Sequence, residues 1–239
     1  MQSKEFSSRK AASLLVAAAA TFSSMAMAEG IRAKDMFRKP LITGASVSAD
    51  YGNKSPGKTL ALRYTTPENI TTKAYGGRPG REVIKEIKAA TVNDRTIILA
   101  VDFLFWDSTL ADPDPSRKAL QQLVGYASDH KIPIILGEIP ELLPGRQPMR
   151  AQLNTHIQKT CASYVQCYVM PFNQLHQQVL KDGFLEIKGK RYSLKELVPD
   201  GLHLSAQTSE YLADLMLAVL SKADYIDKGQ IVLPKTANL

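Results

Sequence analysis

The sequence is poor in aromatic residues and cysteine, and it has no long apolar run. Only 7% of its 239 residues are aromatic, and the mean hydropathy is -0.16. The longest apolar stretch, close to the N-terminus, is too short to span a bilayer comfortably, which argues against a polytopic membrane protein. Internal repeats and low-complexity segments are also missing, which excludes a fibrous chain. The apolar fraction of 44% and the charged fraction of 22% are typical of a globular domain.

Dense clusters of one charge are equally scarce. The formal net charge is +7, but the densest basic runs, at 34–39 and 188–191, have no interleaved aromatic side chains. We therefore do not expect nucleic acid as a partner. The four histidines include His130, His156 and His176, which fall on predicted helices without partners and are predicted to lie at the surface. The sequence indicates no metal site and no cofactor.

The first 28 residues have the pattern of a secretory signal peptide. Lys4, Arg9 and Lys10 form a basic region, residues 11–22 are apolar, and a small-x-small pattern predicts cleavage after Ala28. An uncleaved anchor or a core helix is the alternative, but no spanning length or stop-transfer flank follows.

Cleavage would leave a chain of 211 residues, predicted to form a single domain over 29–239. It removes three basic residues and one acidic residue, so the net charge falls from +7 to +5. The mature protein is then expected in the periplasm or outside the cell, without stable membrane insertion.

The two cysteines, Cys161 and Cys167, are separated by five residues. Export would place them in an oxidising compartment, where a disulfide is expected. The spacing suits a short loop between the end of a helix and the next strand. Two free buried thiols are the main alternative; metal binding is disfavoured because no histidine pattern accompanies the cysteines.

Short β-rich runs alternate with amphipathic segments, which predicts an α/β fold with a parallel sheet. The strand runs lack clean alternation and so suit strands buried on both faces. Strands are predicted at 40–43, 70–74, 96–101, 132–136 and 166–170, and helices at 80–90, 115–130, 146–160, 173–181 and 205–223. Residues 184–193 are predicted to form a β-hairpin. Chemistry is expected where the strands end.

A possible nucleophile and a possible base stand at opposite ends of the domain. Ser46 follows the first predicted strand and Gly44, so its hydroxyl is expected at a cleft; a simple helix cap is the alternative. Asp200 and His203 precede the last predicted helix and can supply a base with its orienting carboxylate. The alternative is a turn residue beside a surface histidine.

These residues resemble the motifs of the SGNH/GDSL hydrolase family. Residues 44–48, Gly-Ala-Ser-Val-Ser, match the family's first block, and residues 200–203, Asp-Gly-Leu-His, match its last block. The resemblance covers nearly all of the mature chain. It implies a three-layer α/β/α sandwich, flavodoxin-like, around a five-stranded parallel sheet. It also implies Ser46 as nucleophile, His203 as general base and Asp200 as its partner.

The same resemblance implies an oxyanion hole built from the Ser46 amide, a glycine amide and an asparagine side chain. Gly80 is our choice for the glycine, with Gly77 as the alternative. Asp102 occupies the asparagine position, and an ionised carboxylate cannot donate a hydrogen bond. Asp102 is therefore expected either to be protonated and donating, or to be turned away and paired with a cation or a backbone N–H.

Other departures and candidates surround this position. Ala45 and Phe103 replace two aspartates of the family pattern. Trp106 is expected to line a pocket, to donate through its indole N–H, or to belong to the core. Glu138 and Glu141 follow the fourth predicted strand and are predicted to lie in a solvated loop.

The sequence supports two alternative hypotheses for the function. The first is an exported serine esterase or deacylase acting on a small-molecule, lipid or glycan ester through Ser46, His203 and Asp200. The second, suggested by the altered third block, is a non-catalytic SGNH-like periplasmic binding or assembly protein.

Overall fold

The structure is a computed structural model that describes residues 32–221. The predicted signal peptide, 1–28, lies outside the described residues, as do 29–31 and 222–239 of the predicted domain. Within 32–221, no helix combines the length and the apolar character that a membrane crossing requires. Nor do three or more His, Cys, Asp or Glu side chains within that range lie close enough together to hold a metal ion.

Five parallel strands form the central sheet, in the order β2-β1-β3-β4-β5. They span Pro40–Gly44 (β1), Thr71–Ala74 (β2), Ile97–Ala100 (β3), Ile134–Gly137 (β4) and Cys167–Met170 (β5). Each lies within two residues of its predicted bounds, so the sequence prediction is confirmed. Because β1 and β3 are adjacent, the loops after them meet at one edge of the sheet.

Helices cover both faces of the sheet and complete the predicted three-layer sandwich. They span Ala33–Met36 (α1), Pro56–Ala61 (α2), Gly80–Val83 (α3), Ala89–Val92 (α4), Asp114–Asp129 (α5), Arg150–Cys161 (α6), Phe172–Asp182 (α7), Leu194–Leu197 (α8) and Ala206–Ser221 (α9). Three 3-10 helices span Pro67–Asn69, Ile84–Glu86 and Trp106–Thr109. A separate antiparallel hairpin pairs Leu185–Ile187 (β6) with Lys190–Tyr192 (β7), as predicted.

Alternate residues of the strands enter two separate cores. In β3, Ile98 packs in a core with side chains of α3, α5 and α6. Ile97 and Leu99 pack on the other face, in a core with side chains of α1, α2 and α9. All three side chains have no exposed area. This two-sided burial explains why the strands read as continuous apolar runs rather than alternating ones.

Two helix predictions differ from the structure. The helix predicted at 80–90 is interrupted because Ile87 adopts an extended backbone, and its side chain is buried. The helix predicted from residue 146 begins at Arg150 instead, because the Gln147 side chain holds the preceding loop in a non-helical conformation through hydrogen bonds. Its amide oxygen accepts from the Leu143 N–H at 3.0 Å, and its amide nitrogen donates to Ser108 Oγ at 2.9 Å.

A disulfide joins Cys161, the last residue of α6, to Cys167, the first residue of β5. The predicted pairing is therefore confirmed. The bond closes a short loop and restricts the unfolded chain there.

Replacing both cysteines with alanine is expected to lower the free energy of unfolding by about 2 kcal/mol, from the loop-closure entropy of so short a loop. The melting temperature should fall by roughly 5 °C. Thermal denaturation with and without a reductant measures this. The reductant should destabilise the wild type and leave the double variant unchanged; an equal response of both would contradict the structural role of the bond.

Candidate active site

The nucleophile candidate lies in a tight turn just beyond β1. The carbonyl of Ser46 accepts from the Tyr51 N–H at 3.0 Å, and the carbonyl of Ala45 accepts from the Ala49 N–H at 3.1 Å. Ser46 is 7% exposed. Among the described residues, neither its hydroxyl nor its amide N–H makes a hydrogen bond. Both groups are therefore free to interact with a substrate.

Asp102, at the end of β3, holds this turn in place. One carboxylate oxygen accepts from the Val47 N–H at 2.9 Å and the Ser48 N–H at 3.2 Å. The other accepts from Ser48 Oγ at 2.5 Å. Gly44 must lack a side chain here, because a Cβ would overlap the Asp102 carboxylate and the Ser48 hydroxyl. We call this arrangement of Asp102 with the 47–48 amides and the Ser48 hydroxyl the carboxylate clamp.

Burial raises the pKa of Asp102 above its ordinary value, while the hydrogen bonds of the carboxylate clamp act in the opposite direction. The two oxygens face the donors of the 47–48 turn. Of the two alternatives for Asp102, the structure shows the pairing with backbone N–H groups. The side chain positions the turn and does not present a donor to an oxyanion.

The base candidate and its partner meet in the loop before α9. Asp200 accepts from His203 Nδ1 at 2.6 Å and from the His203 backbone N–H, also at 2.6 Å. It also accepts from the Leu202 N–H at 2.9 Å. The hydrogen bonds from His203 lower the pKa of Asp200 to about 2. Asp200 therefore stays ionised at neutral pH, and it favours the imidazole tautomer with its proton on Nδ1 and a free Nε2.

Several contacts bring the His203 loop against the turn that carries Ser46. Asn53 Nδ2 donates to the Leu204 carbonyl at 2.9 Å. Gly52, with a φ of +78°, lies where a Cβ would be 3.4 Å from His203 Cβ. The rings of Tyr51 and His203 lie nearly parallel, with centroids 6.2 Å apart. The loops after β1 and before α9 therefore form one edge of the same site.

The oxyanion assignment of Gly80 does not fit this geometry. Its amide N–H donates to the carboxylate of Asp107, which is buried and also accepts from the Arg81 N–H at 3.3 Å. Asp107 thus caps the start of α3 and occupies the donor. No signal in the sequence pointed to this contact, because Asp107 lies 27 positions along the chain from Gly80.

Gly77 is the better candidate for the second oxyanion donor. Within the described part of the chain, its amide makes no hydrogen bond. The preceding residue, Gly76, lies so close to Tyr51 that a Cβ would come within 2.8 Å of the ring. Since Tyr51 also lies beside His203, the glycine turn after β2 reaches the edge of the same site.

Trp106 belongs to the core, which was one of its three predicted alternatives. It packs against the core on the α3 and α5 face and makes an edge-to-face contact with Phe105, with ring centroids 5.4 Å apart. It does not line the cavity next to Ser46.

An apolar cavity of about 100 Å³ opens beside Ser46. We call it the side cavity. Its walls come from the ends of β3 and β4, from α7, from the β6–β7 hairpin and α8, and from the start of α9. Its lining includes Leu202 and Leu204, which flank His203.

Two residues of this cavity contradict their surface predictions. His176 is 8% exposed, because α7 packs its inner face over the cavity, and burial lowers its pKa. Glu138 is 6% exposed. Its carboxylate accepts from Gln158 Nε2 at 2.9 Å and from the Gln174 N–H at 3.4 Å. Neither burial was visible in the sequence, because it depends on how α6 and α7 pack.

Solved structures of several hydrolases resemble the chain. A lipase/acylhydrolase from Enterococcus faecalis aligns with a TM-score of 0.57 and 18% identity, over 84% of this chain and 100% of that one. The psychrotrophic esterase EstA from a Pseudoalteromonas species, a structure inhibited by monoethylphosphonate, aligns with a TM-score of 0.54 and 18% identity, over 77% and 97%.

A protein from Slackia heliotrinireducens that is assigned to the SGNH hydrolases aligns with a TM-score of 0.53 and 12% identity, over 77% of this chain and 98% of that one. No protein-family model and no curated protein matches the sequence. At these identities the similarity establishes the fold, which is that of the SGNH hydrolases, as the sequence motifs predicted.

Proposed function

We propose that the protein is a serine esterase that hydrolyses an ester through Ser46, His203 and Asp200. The observation that carries the proposal is the pairing of Asp200 with His203 Nδ1 at 2.6 Å, in a loop fastened to the turn that carries Ser46. The Ser46 hydroxyl, unbonded among the described residues, supports the same role. The oxidised Cys161–Cys167 pair is compatible with the export that the N-terminal sequence predicts.

Each residue of the site has one role in the proposed reaction. Asp200 holds the Nδ1 proton of His203, which leaves Nε2 free to take the proton of Ser46 Oγ. The Ser46 oxygen attacks the ester carbonyl, and the imidazolium returns the proton to the departing alcohol. Water then attacks the acyl-enzyme, with His203 again acting as the base.

The negative oxygen of the tetrahedral intermediate would be held by the amides of Ser46 and Gly77. Asp102 takes no part in binding it, because the carboxylate clamp uses its oxygens as acceptors. Lacking a side-chain donor costs on the order of 10²–10³ in rate. We therefore expect a slow but real esterase.

The lack of a side-chain donor in the oxyanion hole favours a second candidate, a binding or assembly protein with this fold. An oxyanion hole that has only backbone donors is expected in a protein of this fold that has lost catalysis. The two candidates differ in turnover: an esterase shows a burst of released p-nitrophenol and then steady hydrolysis of p-nitrophenyl butyrate, whereas a binding protein shows neither.

Asp200→Asn tests the proposed triad within this assay. The amide cannot accept the Nδ1 proton as the carboxylate does, so the tautomer with a free Nε2 loses its support. We expect kcat to fall about a hundredfold, with KM unchanged. The effect is smaller than for a buried aspartate, because the Asp200 side chain is 56% exposed and water can replace part of its role.

Asp114→Asn is the matched control, because Asp114 is an exposed carboxylate that pairs with Arg117 at the start of α5. It should leave kcat unchanged. Equal activity of the wild type and Asp200→Asn would remove Asp200 from the triad, and a wild type without turnover would favour the binding protein.

A further inference from the structure

The side cavity indicates which substrates the protein accepts, because Ser46 lines it. Three elements that follow β5 contribute to its wall: α7, the β6–β7 hairpin and α8. They contribute Leu175, Val179, Leu185, Leu194 and Leu197. An aliphatic chain attached to a carbonyl at Ser46 would therefore meet mainly aliphatic side chains.

The carboxylates in the wall are already paired. Asp102 accepts within the carboxylate clamp. The Glu138 carboxylate is paired with Gln158 and Gln174.

His176 is neutral at neutral pH, because burial lowers its pKa; Glu141 and Arg150 are the charged groups that act on it. His176 Nδ1 is buried without a hydrogen-bond partner among the described residues, but it carries no charge on a neutral imidazole. A hydrocarbon chain can enter such a cavity without stripping water from an unpaired charge.

The position of His203 indicates which half of the ester enters the side cavity. His203 must return a proton to the departing alcohol, so the alcohol lies on the imidazole side of Ser46. That ring faces Tyr51, which is 55% exposed, and the ring does not line the side cavity. The cavity is thus left for the acyl half.

The volume of the side cavity limits the chain length. A methylene occupies about as much space as a water molecule, about 30 Å³. A cavity of about 100 Å³ therefore holds three or four carbons beyond the carbonyl. An acetyl group leaves most of that apolar space unfilled.

We propose that the side cavity is an acyl-binding pocket, and that the protein prefers aliphatic acyl esters of four or five carbons over acetyl esters. This inference rests on the proposed esterase function. Each methylene buried should raise kcat/KM about fourfold. Butanoyl should therefore exceed acetyl about fifteenfold, and the gain should stop near pentanoyl.

The kinetic test uses p-nitrophenyl esters from acetyl to dodecanoyl, together with alkyl acetates from methyl to hexyl. The proposal expects kcat/KM to rise along the acyl series and to stay nearly flat along the alkyl series. An optimum at acetyl, or a rise along the alkyl series alone, would overturn it while leaving the esterase function intact.

Leu175→Trp and Leu180→Trp form a matched pair on α7. Leu175 lines the side cavity, whereas Leu180 is 52% exposed and lies outside it. Tryptophan at 175 fills the pocket, so the butanoyl-to-acetyl preference should fall to near one. Tryptophan at 180 should leave the preference unchanged. Equal preferences in both variants would contradict the assignment of the pocket.

A binding measurement separates this inference from the catalytic proposal. Saturation-transfer NMR with pentanoate and acetate needs no turnover. Pentanoate methylene signals should respond with the wild type and with Leu180→Trp, and should weaken with Leu175→Trp. If these signals appear without ester hydrolysis, the catalytic proposal fails and the pocket stands. If pentanoate gives no response, the pocket assignment is wrong.

Discussion

Ser46→Ala is expected to lower kcat/KM for p-nitrophenyl butyrate by at least about a thousandfold. Removing the hydroxyl removes the proposed attacking atom, and the activity left would come from substrate binding and the oxyanion donors alone. Its stability should be close to that of the wild type, because the hydroxyl makes no hydrogen bond among the described residues. Steady-state kinetics and thermal denaturation measure the two effects.

Ser48→Ala is the informative comparison, since Ser48 stands two positions along the same turn. Its hydroxyl donates to Asp102 and belongs to the carboxylate clamp. We expect a loss of no more than about tenfold, the effect of one hydrogen bond. If Ser48→Ala abolished hydrolysis and Ser46→Ala did not, the nucleophile assignment would be wrong.

Asp102→Ala is expected to destabilise the protein by about 3 kcal/mol. The change leaves the Val47 and Ser48 amides and the Ser48 hydroxyl without their acceptor in a buried place. Activity should be lost as well, because the turn that carries Ser46 loses its support. Urea denaturation followed by circular dichroism measures the loss of stability.

Asp102→Asn separates the clamp from an oxyanion role. The amide oxygen can accept the two backbone N–H bonds, and the Ser48 hydroxyl can rotate to accept from the amide nitrogen. Stability should change by less than about 1 kcal/mol, and kcat by less than about tenfold. An alanine variant as stable as the wild type would refute the clamp, and an asparagine variant inactive at full stability would show that the carboxylate itself takes part in the reaction.

Much of the fold could be predicted because its strands are buried on both sides. The run at 97–100 is apolar at every position, since Ile97 and Leu99 enter one core and Ile98 the other. Such a run can be recognised as a strand from its own sequence, without knowledge of the strands that pair with it. The six-residue helix α2 gave no comparable pattern; Ser55 caps it, and its Oγ accepts from the Lys58 N–H at 3.2 Å. Six residues are too few for a helical repeat to show.

In the candidate site, contacts between residues close in the sequence could be predicted, and contacts between distant residues could not. Asp200 and His203 are three positions apart, a spacing that allowed a base with its orienting carboxylate, and the family resemblance implied the pairing that the structure shows. The partner of Gly80 lies far away in the sequence, so a donor that looked free proved to be occupied. His176 was placed on a helix correctly, but its burial depends on the packing of α7 over the side cavity.

The most direct test of the central claim is to locate a covalent adduct. Incubation of the purified protein with a fluorophosphonate, followed by proteolysis and mass spectrometry, identifies the labelled residue. The account predicts one label for each chain, on Ser46, and none in Ser46→Ala. No label on the folded wild type, or a label on any other residue, would contradict it.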